Sequence, residues 1–232
     1  MAFAGMDVGT SGCKLLVYDL DGNVIFQSSR KYAEEGTGGH RELNPEVVLS
    51  AVKELLKEAG KECPASIEAM AVTSLGESVV CLDENDRVLA NSMLTGDCRG
   101  IAETGEIVET LGAKRIFETT GLPPNELYGL PKYMWLNRST DAVKRAKAIL
   151  YYEDFVGYIL TGQRKVSYSS AARSMAFDIR KFSWASDFLA LAGIRPEQMS
   201  QPVAPFTVIG TVLPEVADEL GLDREMKLVA GG

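Results

Sequence analysis

Asp7, Thr10, Ser11 and Lys14 lie close together, spaced by Gly9 and Gly12, in the stretch GMDVGTSGCKLLVYDLDGNVI that runs from Gly5 to Ile25. Glycines at a strand-to-strand bend let the backbone approach a phosphate with no Cβ in the way. Successive N–H groups at such a bend can form an anion-binding nest. Thr10 and Ser11 add hydroxyl donors, and Lys14 adds charge. Asp7 would repel a phosphate directly, so it fits only if a Mg²⁺ ion, bound directly or through water, lies between the two anions. The set suits the phosphates of a Mg²⁺-nucleotide. It is not a Walker A loop, because the spacing to Gly-Lys-Ser/Thr is wrong and a strand rather than a helix follows. On these residues alone, a glycine-rich hairpin with solvated polar side chains remains open as the plainer reading.

Other chemistries are poorly served. Cys13, Cys63, Cys81 and Cys98 form no C-x-x-C pair and no metal-binding spacing, which points to free thiols in a reducing cytosol. The one histidine, His40, rules out a multi-histidine zinc site and makes a Ser-His-Asp arrangement awkward. It lies in the polar run GTGGHREL and reads as a loop residue. The 232 residues are 46% apolar and 24% charged, enough for a substantial core. A net charge of −8 argues against nucleic acid or an anionic membrane as the main partner. The start, MAFAGMDVG, lacks the basic and apolar regions of a signal peptide. No apolar run approaches the roughly 20 residues of a membrane span. The expected setting is the cytoplasm.

Three strands, Phe3–Asp7, Lys14–Asp19 and Asn23–Ser28, should position the opening turn, with Asp21-Gly22 as a second hairpin turn. NPEVVLSAVKELLKEAG reads as a helix capped by Asn44, begun by Pro45 and stopped by Gly60. Its Val48, Ala51, Val52, Leu55, Leu56 and Ala59 recur at helical spacing and should face a core. IEAMAVTS and SVVCLDENDRVLA read as strands. Helices are expected over Ile101–Leu111, Pro131–Arg138, Thr140–Lys147, Asp154–Leu160 and Trp184–Ala192, with AILYY a strand among them. FTVIGTVL, PEVADELG and KLVAGG return to strand, helix, strand. No repeat or linker divides the chain. The expectation is one α/β layered domain with a mixed sheet and a helical insertion.

Several segments, in order, make the chain similar to a known family. MDVGTSGCKLLVYDLDGNVI resembles the opening phosphate motif of the FGGY carbohydrate kinases, members of the actin, hexokinase and Hsp70 ATPase superfamily. RELNPEVV resembles the family's segment before its first helix, with Asn44 in place of Asp. IEAMAVTSLGESVVCLDENDRVLANSMLTGDCRG resembles its sugar-site strand pair and the following W-x-D-x-R segment. ETTGLPP, LPKYMWL, YYEDFVGYILTGQ, SYSSAARSMAFDIRKFSW and IGTVLPEVADELGL match later segments. The resemblance implies a ribonuclease H-like N-terminal domain over residues 1–232 that binds sugar and phosphate. Asp7 would bind Mg²⁺, and Gly9, Thr10, Ser11 and Lys14 would line the phosphates of ATP. Asp97 and Arg99 would close the sugar side. Lys132 matches a recurrent lysine and reads as support for the fold. The reaction implied is transfer of the γ-phosphoryl group to a hydroxyl of a pentulose, gluconate or polyol.

The sequence also departs from the family. Leu75-Gly76-Glu77 stands where xylulose kinases carry Gln-Met-His, and it shares only the acid with the Gln-Arg-Glu of glycerol kinases. Thr95 replaces the tryptophan of W-x-D-x-R. Glu77 is a natural acceptor for sugar hydroxyls, with a solvated loop acid as the other reading. The family's catalytic Asp directly follows a glycine-ended strand, here KLVAGG, so it is expected just beyond Gly232, together with a C-terminal domain that is absent. The chain is therefore expected to be inactive alone, with its own C-terminal kinase domain as a partner. The alternative is a non-catalytic, kinase-derived module that binds sugar or nucleotide. A chaperone-type ATPase of the same superfamily is disfavoured by TGDCRG and GES. LPKYMWLNR reads as a core helix or, failing that, an interface. Apolar surface left by a missing domain leads to an expectation of self-association, as in a homodimer.

Overall fold

The computed structural model describes residues 1–231. In chain order the strands are β1 (Ala2–Val8), β2 (Gly12–Tyr18), β3 (Val24–Lys31), β4 (Glu42–Leu43), β5 (Ile67–Ser74), β6 (Val79–Leu82), β7 (Ser92–Met93), β8 (Ala148–Tyr151), β9 (Lys165–Ser167), β10 (Phe177–Asp178), β11 (Ser183–Trp184), β12 (Gln201–Val203), β13 (Val208–Thr211) and β14 (Lys227–Ala230). The helices are α1 (Pro45–Glu62), α2 (Ile101–Leu111), α3 (Ala113–Thr120), α4 (Gly129–Ser139), α5 (Ala142–Arg145), α6 (Tyr152–Thr161), α7 (Tyr168–Ala172), α8 (Ser186–Leu191) and α9 (Pro214–Leu220).

The main sheet has the order β13-β14-β5-β1-β2-β3. β1, β5 and β14 run parallel, and β2, β3 and β13 are antiparallel to their neighbours. The period-2 pattern of β1 sends Ala2, Ala4, Met6 and Val8 into a core shared with α1, α6 and α9. Phe3, Gly5 and Asp7 point to the other face, where a hollow of about 300 Å³ is lined by Gly5, Asp7, Leu16, Tyr18, Ala71 and Thr73.

A second core lies beyond the antiparallel pair β6–β8. Val80 and Leu82 of β6 and Ala148 and Leu150 of β8 face the first core, while Val79, Cys81, Ile149 and Tyr151 face the second. One ribbon thus serves both cores by strand alternation. The helical insertion builds the second core, with α4 contributing Leu130, Tyr133, Met134 and Leu136. LPKYMWLNR is accordingly a core helix. Among the described residues no helix is long and apolar enough to cross a membrane.

The expected elements form, with instructive shifts at their ends. Asn44 caps α1 by accepting from the Glu46 N–H at 3.0 Å. Gly60 does not stop the helix, which runs on to Glu62. Gly60 is instead where α9 closes on α1, because a Cβ there would overlap the carbonyl oxygens of Leu220 and Gly221. The helix expected over Thr140–Lys147 shrinks to α5. Thr140 stays extended as the cap of α4, and the Lys147 N–H is drawn to the Leu82 carbonyl at 2.8 Å. Trp184 leaves its expected helix to pair with Phe177 in a hairpin, and its Nε1–H donates to the Ser200 carbonyl at 2.8 Å. The second half of SVVCLDENDRVLA gives only a bridge between Leu82 and Val88. The final Gly232 of KLVAGG, and the base expected after it, lie outside the described residues.

Candidate active site

β1, β5 and β14 end side by side, and ligands of open α/β sheets gather at the carboxyl ends of their parallel strands. The β1–β2 turn sits at this end. Its Gly9 N–H donates to the Gly12 carbonyl at 2.9 Å. Tyr32 clamps the turn from β3's end, with its hydroxyl on the Gly9 carbonyl at 2.7 Å and its N–H on the Ser11 carbonyl at 3.3 Å. Gly12 is required by close approach, since a Cβ there would overlap the Arg30 carbonyl oxygen of β3. Among the described residues, the N–H groups and hydroxyls of Thr10 and Ser11 have no protein acceptor.

Asp7 and Lys14 are cross-strand partners, with Thr73 on the other side of Asp7. Both are exposed. Free donors in the turn, a lysine beside it and one uncommitted carboxylate fit a phosphate chain with Mg²⁺. Such an ion takes one or two carboxylates and fills the rest of its shell with phosphate and water. Among the described residues there is no cluster of three or more metal-ligating side chains, so a self-sufficient metal site is not on offer.

The second group of expected residues follows β5 and β7. Glu77 is buried, 4% exposed, which removes the solvated-loop reading. Its Oε2 accepts from the Thr95 hydroxyl at 2.8 Å, and its Oε1 is paired with Arg173 of the segment ending α7. Asp97 is also buried. It accepts from the Arg41 N–H at 2.8 Å and from the Arg99 N–H and Nε at 3.0 and 2.8 Å. Arg99 reaches on to Glu42 at 2.7 Å and lies over the Trp135 ring at 4.6 Å. Burial pushes the Asp97 carboxyl up, but hydrogen bonds from Arg99 and Arg41 outweigh it and hold the group at about 2. Lys132 is buried beneath this segment and donates to the Leu94 carbonyl at 2.8 Å. Burial lowers its ammonium to about 8, with Asp97 opposing. Glu77, Asp97 and Arg99 thus form a pre-organised framework with its own partners, so direct ligand contacts would have to exchange or extend those bonds.

Sequence reasoning missed Glu153. This residue lies in the first turn of α6 and is almost fully buried. Its N–H donates to the Ser74 hydroxyl at 3.0 Å, and its Oε2 takes the hydroxyls of Ser167 and Ser170. Its Oε1 has no partner among the described residues, and the Cβ position of Gly231 lies 3.9 Å away. Thr95 and Arg173 were missed in their pairing role. The thiols play no such part. Burial raises Cys13 to about 11 and Cys81 to about 12, which leaves both protonated. His40 is exposed and meets Trp135 edge-on at 6.4 Å.

The model of the FGGY family of carbohydrate kinases, N-terminal domain, matches residues 2–232. The chain belongs to that family. It is 26% identical over 230 residues to the gluconokinase of Bacillus subtilis, covering 98% of this chain and 45% of that protein. It is 29% identical over 233 residues to the xylulose kinase of Lactococcus lactis, covering 98% and 46%. The solved, ligand-bound xylulose kinase of Lactobacillus acidophilus superposes on all of this chain and 48% of its own with a TM-score of 0.92 at 25% identity. The chain therefore spans about half the length of these FGGY relatives. Its fold is the actin- and hexokinase-like α/β fold expected from the sequence.

Proposed function

We propose that this chain is the phosphate- and acceptor-binding half of an ATP-dependent carbohydrate kinase that phosphorylates a hydroxyl of a pentulose, gluconate or polyol. The observation that carries this reading is the β1–β2 turn. Among the described residues it presents two free N–H groups and two free hydroxyls beside Asp7 and Lys14, at the end of three parallel strands. Phosphoryl transfer asks little covalent chemistry of a protein and depends on positioning and charge. Thr10, Ser11 and Lys14 hold the phosphate oxygens, and Gly9 lets them approach. Asp7 holds Mg²⁺, which when bound offsets phosphate charge. Glu77, Asp97 and Arg99 shape the acceptor side. The base that takes the hydroxyl proton belongs outside these residues, with the domain that closes the cleft and excludes water. In this reading the chain alone gives no useful turnover. Four unpaired cysteines support a cytoplasmic setting, and the exposed hollow around Gly5 and Leu16 supports contact with that further domain or a second copy.

The test is ADP formation by the complete kinase polypeptide with D-xylulose, gluconate and glycerol. Asp7→Ala is expected to lower kcat by about 100-fold or more and to leave the melting temperature unchanged, because Asp7 is exposed and has no partner among the described residues. Wild-type turnover in Asp7→Ala would remove Asp7 from the mechanism. A non-catalytic binding module is the second reading, favoured by the internal pairing of Glu77 and Asp97. It predicts acceptor or nucleotide binding with no ADP formed.

A further inference from the structure

Leu94–Asp97 forms a tight turn, closed by the Asp97 N–H on the Leu94 carbonyl at 3.2 Å, with Gly96 at φ +83°. The turn carries both acceptor-side contacts, since Thr95 bonds Glu77 and Asp97 bonds Arg41 and Arg99. The same Leu94 carbonyl receives the ammonium of Lys132 from below. Lys132 is 1% exposed, and this is its one hydrogen bond among the described residues, although an ammonium has three N–H donors. Lys132, Glu77 and Asn91 line one cavity of about 10 Å³. Gly100, just past the turn, lies so close to Pro131 that a Cβ would come within 3.1 Å. The whole segment is thus seated on the first turn of α4.

A buried ammonium is a costly way to satisfy one carbonyl, and a neutral donor would close the turn as well. Charge is useful here because the buried Asp97 carboxylate lies in the same turn. We propose that Lys132 is a positioning residue of the acceptor side, a cationic strut that fixes the Leu94–Asp97 turn and through it Glu77, Asp97 and Arg99. This role deepens the kinase reading and rests on it for its catalytic consequence, whereas the fixing of the turn can be tested in this chain alone.

The experiment compares Lys132→Met, which keeps the length and packing without the donor, with Lys132→Gln, which keeps an N–H donor. Amide hydrogen exchange is measured in this chain. The Asp97 and Arg41 amides are expected to exchange at least 10-fold faster in Lys132→Met, with a smaller effect in Lys132→Gln, while Met6 and Leu15 stay within 2-fold. Unchanged turn amides, or an equal acceleration throughout, would overturn the proposal. If Lys132→Met does not fold, Lys132→Gln alone is read: exchange of the Asp97 and Arg41 amides between 2-fold and 10-fold faster, with Met6 and Leu15 within 2-fold, is expected from the lost charge, and no acceleration at the turn would overturn the proposal. In the complete kinase, Lys132→Met is expected to raise the acceptor KM at least 10-fold with the ATP KM within 2-fold. Equal movement of both KM values would reduce Lys132 to a fold residue. Absence of transfer in the wild type would sink the kinase reading and leave the exchange result standing.

Discussion

Asp97 shows how much of the site is held by a few charge-assisted bonds. Its carboxylate is kept at about 2 against an ordinary 3.8, although burial alone would raise it. The ionised form is therefore favoured by folding, and its contribution is complete above about pH 4. It is lost as the pH falls from about 4 toward 2. The shift corresponds to about 2 kcal/mol. Asp97→Asn is expected to be destabilised by about that amount at pH 7, and the gap to wild type should close by pH 2 in urea denaturation. A gap that stays constant across that range would mean that Asp97 acts by shape and not by charge. Legibility at this scale followed sequence distance. Asp7, Thr10, Ser11 and Lys14 could be read because they are neighbours on one turn. The pairing of Glu77 with Arg173 joins residues 96 apart, and no local pattern announces it. Glu153 was missed for the same reason, since its partners Ser74 and Ser167 come from other elements.

Elements were legible where independent signals agreed. α1 carries a capping asparagine, a first-turn proline and an apolar stripe, and all three agree. Its end was misread because Gly60 answers to the neighbouring α9 and not to the helix's own termination. Local preference puts Trp184 in a helix, but a tertiary bond to Ser200 and pairing with Phe177 decide its place. The glycines of the first two strands make a matched test. A Cβ at Gly12 would overlap the Arg30 carbonyl oxygen, whereas one at Gly5 would meet nothing within 4 Å. Gly12→Ala is expected to cost about 2–3 kcal/mol and to displace the β1–β2 turn. Gly5→Ala should stay within about 0.5 kcal/mol of wild type. Equal urea midpoints for the two variants would contradict the close β2–β3 approach.

At the scale of the molecule, the chain is two cores divided by the β6–β8 ribbon, with the site along one rim. The first core carries the β1–β2 turn on its sheet. The second carries α4 and α7, which support Leu94 and Glu77 through Lys132 and Arg173. The α/β class and mixed sheet were legible from strand and helix order. The two-sided use of β6 and β8 was not, because an all-apolar strand gives no alternation to read. On the proposed reading the β1–β2 turn grips Mg²⁺-nucleotide phosphate through its free donors and Asp7. The most direct measurement is a titration of the isotopically labelled chain with ATP, with and without Mg²⁺, following backbone amides. Mg²⁺-dependent shifts centred on Gly9, Thr10 and Ser11, absent in Asp7→Ala, are expected. Shifts centred elsewhere, or shifts at the turn indifferent to both Mg²⁺ and Asp7, would contradict that reading.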